Sequence, residues 1–255
     1  MAAPLLIAEG LTKQYGAARV VDDVSLSIAR GEILGLVGES GSGKSTVARM
    51  LLRLIEPSSG VVTFDGLDVL HASAREMKAL RRRMGVVFQD PFAALDPRMR
   101  VRDILAEPFA IHSDVKLRGA ALDAKLTAML DEVGLPATAL SRYPHEFSGG
   151  QRQRVNIARA LALQPEFLVL DEPVSALDVS VGAQVINLLR ELQRTRGLTC
   201  LFISHSMPLV RYLCDRVAVM QRGKLVEVGD AVTICEHPRE AYTQALIAAT
   251  PEFVS

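Results

Sequence analysis

Three observations predict an α/β fold with a parallel core. Residues 38 to 45 read Gly-Glu-Ser-Gly-Ser-Gly-Lys-Ser, between an apolar run, Ile33 to Val37, and a helical segment that starts near Lys44. Apolar runs of strand character return at Phe167 to Leu170, Thr199 to Ser204 and Val217 to Met220. Between the first two of these lies a helical stretch, Val179 to Thr195, closed by Gly197. Apolar strands that alternate with helices indicate a parallel sheet.

The remaining elements attach to that core in order. Leu5 to Ala8, Val20 to Val21, then Val24, Leu26 and Ile28 at period two predict an antiparallel sheet ahead of the glycine-rich loop. Val61 to Phe64 and Gly85 to Gln89 supply further strands, with Asp65-Gly66 as a turn signal. From Asp90 to about Leu163 the texture is helical, interrupted at Pro91, Pro97, Pro108, Pro136 and Pro144, and reads as an inserted helical lobe. The sequence shows no internal repeat.

Composition narrows the function classes. With 255 residues and 49% hydrophobic content, one large core or a core with a small lobe is favoured over two full domains. Lys plus Arg, 29, equals Asp plus Glu, 29, so no overall field draws the protein to nucleic acid or an acidic membrane. The triplet Arg81-Arg82-Arg83 reads as a solvated face, and no nucleic-acid partner is expected. Met1 to Glu9 lacks the basic region of a signal peptide, and no apolar run approaches the roughly 20 residues that span a bilayer. The expectation is a soluble cytoplasmic protein that can still dock on a membrane protein. Cys200, Cys214 and Cys235 have no C-x-x-C spacing and read as structural thiols, not metal ligands.

The chemistry sits in three motifs. G-x-x-x-x-G-K-[ST] is the pattern of a phosphate-binding loop, in which glycines let successive backbone N–H groups turn inward on phosphate oxygens. Gly38, Ser40, Gly41, Gly43, Lys44, Ser45 and Thr46 would form the cradle. Lys44 would place a charge near the β and γ phosphates, and the Ser45 hydroxyl would ligate Mg²⁺. A plain glycine-rich turn would not require Lys-Ser-Thr after its last glycine. Second, Ser148-Gly149-Gly150-Gln151 precedes a run with apolar residues at Val155, Ala158, Leu161 and Ala162. Ser148 and Gln151 have capping-box spacing, and the glycines clear side chains from the path of a ligand, so this helix start reads as a second anion site. Third, Phe167-Leu168-Val169-Leu170-Asp171-Glu172 delivers two carboxylates at the C-terminal end of a buried strand, the edge where α/β sheets bind ligands. Asp171 would hold Mg²⁺ through its water shell, and Glu172 would orient or deprotonate an attacking water.

Together these motifs resemble those of the ATP-binding subunit of an ABC transporter, along nearly the whole chain. The resemblance implies a P-loop NTPase with an ABC-type core: one domain over 1–255, with a RecA-like core at 1–89 and 165–230, a helical subdomain at about 90–164 and a C-terminal extension at about 231–255. It further implies ATP and Mg²⁺ as cofactors and ATP hydrolysis as the activity. By the same resemblance Tyr15 stacks on adenine, Gln89 contacts Mg²⁺ and senses the γ phosphate, Asp178 ends the D-loop, Ser175-Ala176-Leu177-Asp178, and His205 is the switch histidine. Glu172, His205, Lys44 and Gln89 form the catalytic set, and Ser45, Gln89 and Asp171 the metal set.

The family's two subunits pair head to tail, so Ser148, Gly149, Gly150 and Gln151 of one would close on the nucleotide held by Lys44 of the other. Partners implied are integral-membrane permease subunits, a second ATPase subunit that is either a copy or a paralogue, and, indirectly, an extracytoplasmic solute-binding protein. The location implied is peripheral, on the cytoplasmic face of the inner (plasma) membrane. Asp90 to Arg98, Asp171 to Ser180, Arg211 to Val217 and the tail His237 to Leu246 resemble oligopeptide and dipeptide importer ATPases, a group that also holds nickel and opine importers. A non-transport ABC ATPase of DNA repair or of the ribosome is the alternative from another class. Coiled-coil or zinc insertions and joined ATPase halves, which mark those, are not seen in the sequence. Nor is the cysteine cluster of some peptide-importer ATPases, and no iron-sulfur centre is expected. Phe147 stands where a leucine is usual and Ser206 where an aspartate is common; the serine is expected to cap the following helix, with a charge lost beside the switch. The transported cargo is not encoded here.

Overall fold

The computed structural model describes residues 4–112 and 117–249. The ends of the chain, including the last residues of the expected C-terminal extension, lie outside the described residues. Strands β1 (Pro4–Tyr15) and β2 (Ala18–Ala29) form an antiparallel hairpin. They are longer than the short apolar runs suggested, because register shifts along the pair break the period-two alternation. β3 (Ile33–Val37) is buried along its whole length and leads through the glycine-rich loop into α1 (Lys44–Leu51). β4 (Ser59–Phe64) turns at Asp65-Gly66, with φ of 52° and 78°, into the two-residue β5 (Leu67–Asp68). β4 pairs with β1, giving an antiparallel sheet of order β2-β1-β4-β5.

Helix α2 (Ala74–Arg83) has only Met77 and Leu80 buried, too sparse a pattern to reveal it by periodicity. A capping box starts it: the Glu76 N–H donates to Ser73 Oγ at 3.3 Å and the Ser73 N–H donates to Glu76 Oε2 at 2.8 Å. Its basic last turn complements the helix dipole. Arg83 departs from the solvated face expected of the triplet. Its guanidinium lies over the Phe64 ring at 4.9 Å and donates to Glu166 at 2.5 and 2.9 Å. β6 (Met84–Val87) follows directly.

The helical tract holds α3 (Val101–Ile111), α4 (Gly119–Glu132), two 3₁₀ turns at Ala137–Ser141 and Pro144–Glu146, and α5 (Gly149–Leu161). Pro108 does not interrupt it as expected, but lies inside α3. Burial of Val101, Ile104, Leu105 and Phe109 along one face carries the helix past the lost hydrogen bond, and it ends one turn later.

The chain then alternates β7 (Phe167–Asp171), α6 (Val179–Arg196), β8 (Thr199–Ser204), α7 (Met207–Leu213) and β9 (Arg216–Gln221). It finishes with β10 (Lys224–Asp230), α8 (Ala231–Glu236) and α9 (Ala241–Ala248). The second sheet has order β10-β9-β3-β8-β7-β6, parallel except for the β10–β9 edge pair.

Alternation along the parallel strands splits the core in two. Phe167 and Val169 of β7 and Leu201 and Ile203 of β8 face α1 and the antiparallel sheet. Leu168 and Leu170, with Cys200 and Phe202, face the helices. Each fully buried side chain of this size contributes roughly 1.5–3 kcal/mol. The outcome places α1 between two sheets and the C-terminal ends of β3, β6, β7 and β8 along one rim. Among the described residues no helix is long and apolar enough to cross a membrane.

Candidate functional site

The glycine-rich loop leaves β3 and enters α1 through Gly43, whose φ is 105°. A Cβ there would meet the Val20 carbonyl oxygen at 2.6 Å, so only glycine fits. No side chain caps α1, which leaves its first-turn N–H groups to the loop's concave side. Gly41 also has positive φ, at 79°, Ser40 is exposed, and Thr46 follows in the first turn, half-buried.

Lys44 is folded back on this loop. Its ammonium donates to the Gly38 carbonyl at 2.8 Å, the Glu39 carbonyl at 2.7 Å and Ser42 Oγ at 3.3 Å. Burial pushes its pKa below the ordinary lysine range, against the pull of Glu172, Asp171 and Glu39. The motif pattern does not specify Glu39 or Ser42, which fall at its variable positions. What could have found them is the need of a buried ammonium for nearby acceptors.

The strand ends converge on the same rim. Ser45 Oγ donates to Asp171 Oδ1 at 2.9 Å, joining residues 126 positions apart. Asp171 is buried, and its carboxyl is pushed up by that burial, pulled down by the Ser45 hydrogen bond and raised again by Glu172. Glu172 has φ 46°, an uncommon conformation for a residue with a side chain, and its N–H donates to the Ile203 carbonyl at 3.0 Å. That twist turns its carboxylate towards two partners. Gln89 Nε2 donates to Glu172 Oε2 at 3.0 Å, and His205 Nδ1 lies 3.5 Å from the same oxygen. Tyr15, at the end of β1, is half-exposed with the Lys13 ammonium 5.0 Å from its ring centre.

The second glycine-rich turn has a different construction. Ser148 caps α5 through a complete box: the Gln151 N–H donates to Ser148 Oγ at 3.3 Å, and the Ser148 N–H donates to Gln151 Oε1 at 3.1 Å. Gly149 lies beside Leu177, and a Cβ on Gly150 would meet Val181 Cγ1 at 2.2 Å. The absence of a side chain at Gly150 therefore makes room for α6. Asp178 caps α6 by accepting from the Val181 N–H at 2.9 Å and Ser180 Oγ at 2.8 Å. Among the described residues, no hydrogen bond links residues 148–151 to the phosphate loop. One chain thus brings together Lys44, Ser45, Gln89, Asp171, Glu172 and His205 but leaves the α5 start apart from them.

Two residues at the edge differ from expectation or extend it. Ser206 precedes α7 but its hydroxyl makes no cap hydrogen bond; its N–H instead donates to Ser204 Oγ at 3.0 Å. Phe147 is accommodated by burial, with the Arg142 guanidinium 4.2 Å from its ring centre. A groove of about 650 Å³, largely apolar, borders Glu172 and is lined by Ser175, Leu177, Asp178, His205 and Tyr212.

The family model of the ABC transporter matches residues 21–175, a span that contains both glycine-rich turns and the two strand-end carboxylates. The chain belongs to the ABC transporter family. This ABC chain is 52% identical over 252 residues, 97% of its length and 79% of the relative's, to a Brucella ovis protein named as a peptide import ATP-binding protein. It is 50% identical over 237 residues to the oligopeptide transport ATP-binding protein OppF of Bacillus subtilis, covering 92% of this chain and 77% of that one. Its fold superposes with a TM-score of 0.80, at 28% identity and over 89% and 98% of the two chains, on an ATP-binding cassette solved as a dimer in a post-hydrolysis state with ADP and Pi. The α/β core with its antiparallel sheet is that of an ABC ATPase.

Proposed function

We propose that this ABC ATPase powers peptide uptake as the nucleotide-hydrolysing subunit of an importer. The names of its relatives point to peptides as cargo. The observation that carries the reading is the convergence on Glu172, at the rim of the phosphate loop, of Gln89 and His205. In this reading ATP lies along the loop with its adenine on Tyr15, and the N–H groups of residues 40–46 face its phosphates. Lys44 exchanges its three loop acceptors for phosphate oxygens, an exchange made easier by the cost of keeping its charge buried.

The donor set suits Mg²⁺. A hydroxyl and a carboxylate stand side by side at Ser45 and Asp171, the Gln89 amide is bonded to the adjacent Glu172, and no cluster of three or more His, Cys, Asp or Glu able to hold a metal exists among the described residues. Hard oxygen ligands, few of them from protein and the rest from phosphate and water, are what Mg²⁺ takes. When bound, the ion would neutralise charge on the phosphates. Glu172 accepts a proton from, or orients, the attacking water through its free oxygen, while His205 and Gln89 hold the other oxygen and Gln89 reports its position to the helical tract that begins at Asp90.

Hydrolysis requires a second subunit, because the α5 start does not reach the loop of its own chain. Ser148, Gly149, Gly150 and Gln151 of a partner ATPase, a copy or a paralogue, supply a second helix N-terminus to the γ phosphate. The helical tract at 90–164 meets integral-membrane permeases, on the cytoplasmic face of the inner membrane, and an extracytoplasmic binding protein delivers the solute. The C-terminal segment from 231 on is an extension of the core.

Glu172→Gln tests the site. Nucleotide affinity of the variant, read with a fluorescent ATP analogue, is expected to stay within about twofold, while turnover falls by roughly 10²–10⁴, the usual worth of a positioned general base. Normal turnover would remove Glu172 from its role.

A further inference from the structure

The C-terminal tail has no part in the mechanism above, yet it reaches the phosphate loop. The Glu39 N–H donates to the Tyr242 phenol oxygen at 3.1 Å, across 203 positions of sequence. That N–H belongs to the Gly38–Glu39 peptide, and the carbonyl of the same peptide accepts from the Lys44 ammonium at 2.8 Å. In a trans peptide the C=O and N–H point to opposite sides. The plane is therefore held on one edge by the lysine and on the other by the tail tyrosine.

Tyr242 is itself fixed on two sides. Its ring is half-buried and packs on the helical side of the core together with Leu246 and Ile247. The start of α9 is anchored to β10, because Glu227 accepts the Arg239 N–H at 2.9 Å and the Glu240 N–H at 3.2 Å. The phenol is thus a fixed acceptor, set by an edge strand and a helix that lie outside the span of residues matched by the family model.

We infer that Tyr242 is a positioning residue for the phosphate loop: it sets the rotation of the Gly38–Glu39 peptide and so the resting place from which Lys44 moves to nucleotide. This rests on the reading of residues 38–46 as the nucleotide cradle. Loss of the phenol leaves the Glu39 N–H without its acceptor and lets the peptide rotate. The loop must then be ordered at the expense of binding, which weakens ground-state and transition-state binding alike, so KM changes and kcat does not.

The test is Tyr242→Phe in the full chain, which keeps the ring and its packing and removes only the oxygen. Binding of a fluorescent ATP analogue and of Mg-ADP is expected to weaken roughly three- to tenfold, the range of one hydrogen bond's net worth. KM for ATP should rise by the same factor with kcat unchanged and the melting temperature of the nucleotide-free protein little altered. Glu227→Gln, which loosens the anchor but keeps the phenol, should shift KM in the same direction by less. Wild-type affinity and KM in Tyr242→Phe would overturn the inference, and so would a fall in kcat at constant KM. Failure of the unmodified chain to bind nucleotide would instead overturn the reading of the loop itself.

Discussion

Two helices of this ATPase begin at glycine-rich turns, α1 at Gly43-Lys44 and α5 at Ser148-Gly149, and their first turns are completed in opposite ways. No side chain caps α1, its entry glycine is in a left-handed conformation, and the nearest cation is folded onto loop carbonyls. The start of α5 is closed by its own capping box, and its second glycine is filled by Val181. One terminus leaves its backbone donors for a ligand and keeps a charge in reserve. The other is preassembled by contacts within its own chain, with no bond to the phosphate loop among the described residues. The contrast fits the two-subunit site proposed above, in which α1 would bind nucleotide and α5 of a partner would close over it.

Breaking the first terminus should give the largest effect. Lys44→Ala removes the ammonium held by the loop's acceptors and is expected to weaken nucleotide binding roughly 10- to 100-fold, the worth of a charge-assisted hydrogen bond, as read by titration with a fluorescent ATP analogue. Unchanged affinity would deny the contrast its starting point. Next comes Gly150→Ala, whose Cβ would overlap Val181 and should cost about 1–3 kcal/mol in denaturant unfolding, regained when Val181→Ala is added. A Gly150→Ala protein of unchanged stability would show that α6 does not depend on the space at that glycine. Smallest is Ser148→Ala, which loses one cap acceptor and about 1 kcal/mol of stability, with nucleotide binding to the single subunit unaltered. If it weakened binding to the isolated chain, α5 would be acting on its own loop.

Much of the fold was legible because local signals agreed with the tertiary outcome. The apolar run ending in Asp171 is a strand buried on both faces, and Gly197 closes α6 with φ 62°. Signals failed where packing overrode them or was too sparse to register. Pro108 reads as a break but lies in a helix held by its apolar face, and α2 gives no periodic signal because it buries two residues only. At the candidate site, residue types were readable from spacing, while contacts were not. The Gln89–Glu172 bond joins positions 83 apart and depends on the left-handed turn at Glu172, which no local pattern announces. Ser206 reads as a cap by residue type, yet its hydroxyl makes no cap bond.

On the proposed function, nucleotide on α1 recruits a second ATPase beneath a permease. The most direct test is affinity purification of Glu172→Gln from native membranes with Mg-ATP, with Lys44→Ala in parallel, followed by mass spectrometry. The account predicts that Glu172→Gln brings down permease subunits and a second ABC subunit, an untagged copy or a paralogue, and that Lys44→Ala loses the stable ATPase pair. Recovery of ribosomal or DNA-bound proteins with no permease, or of no second ABC subunit under nucleotide saturation, would contradict it.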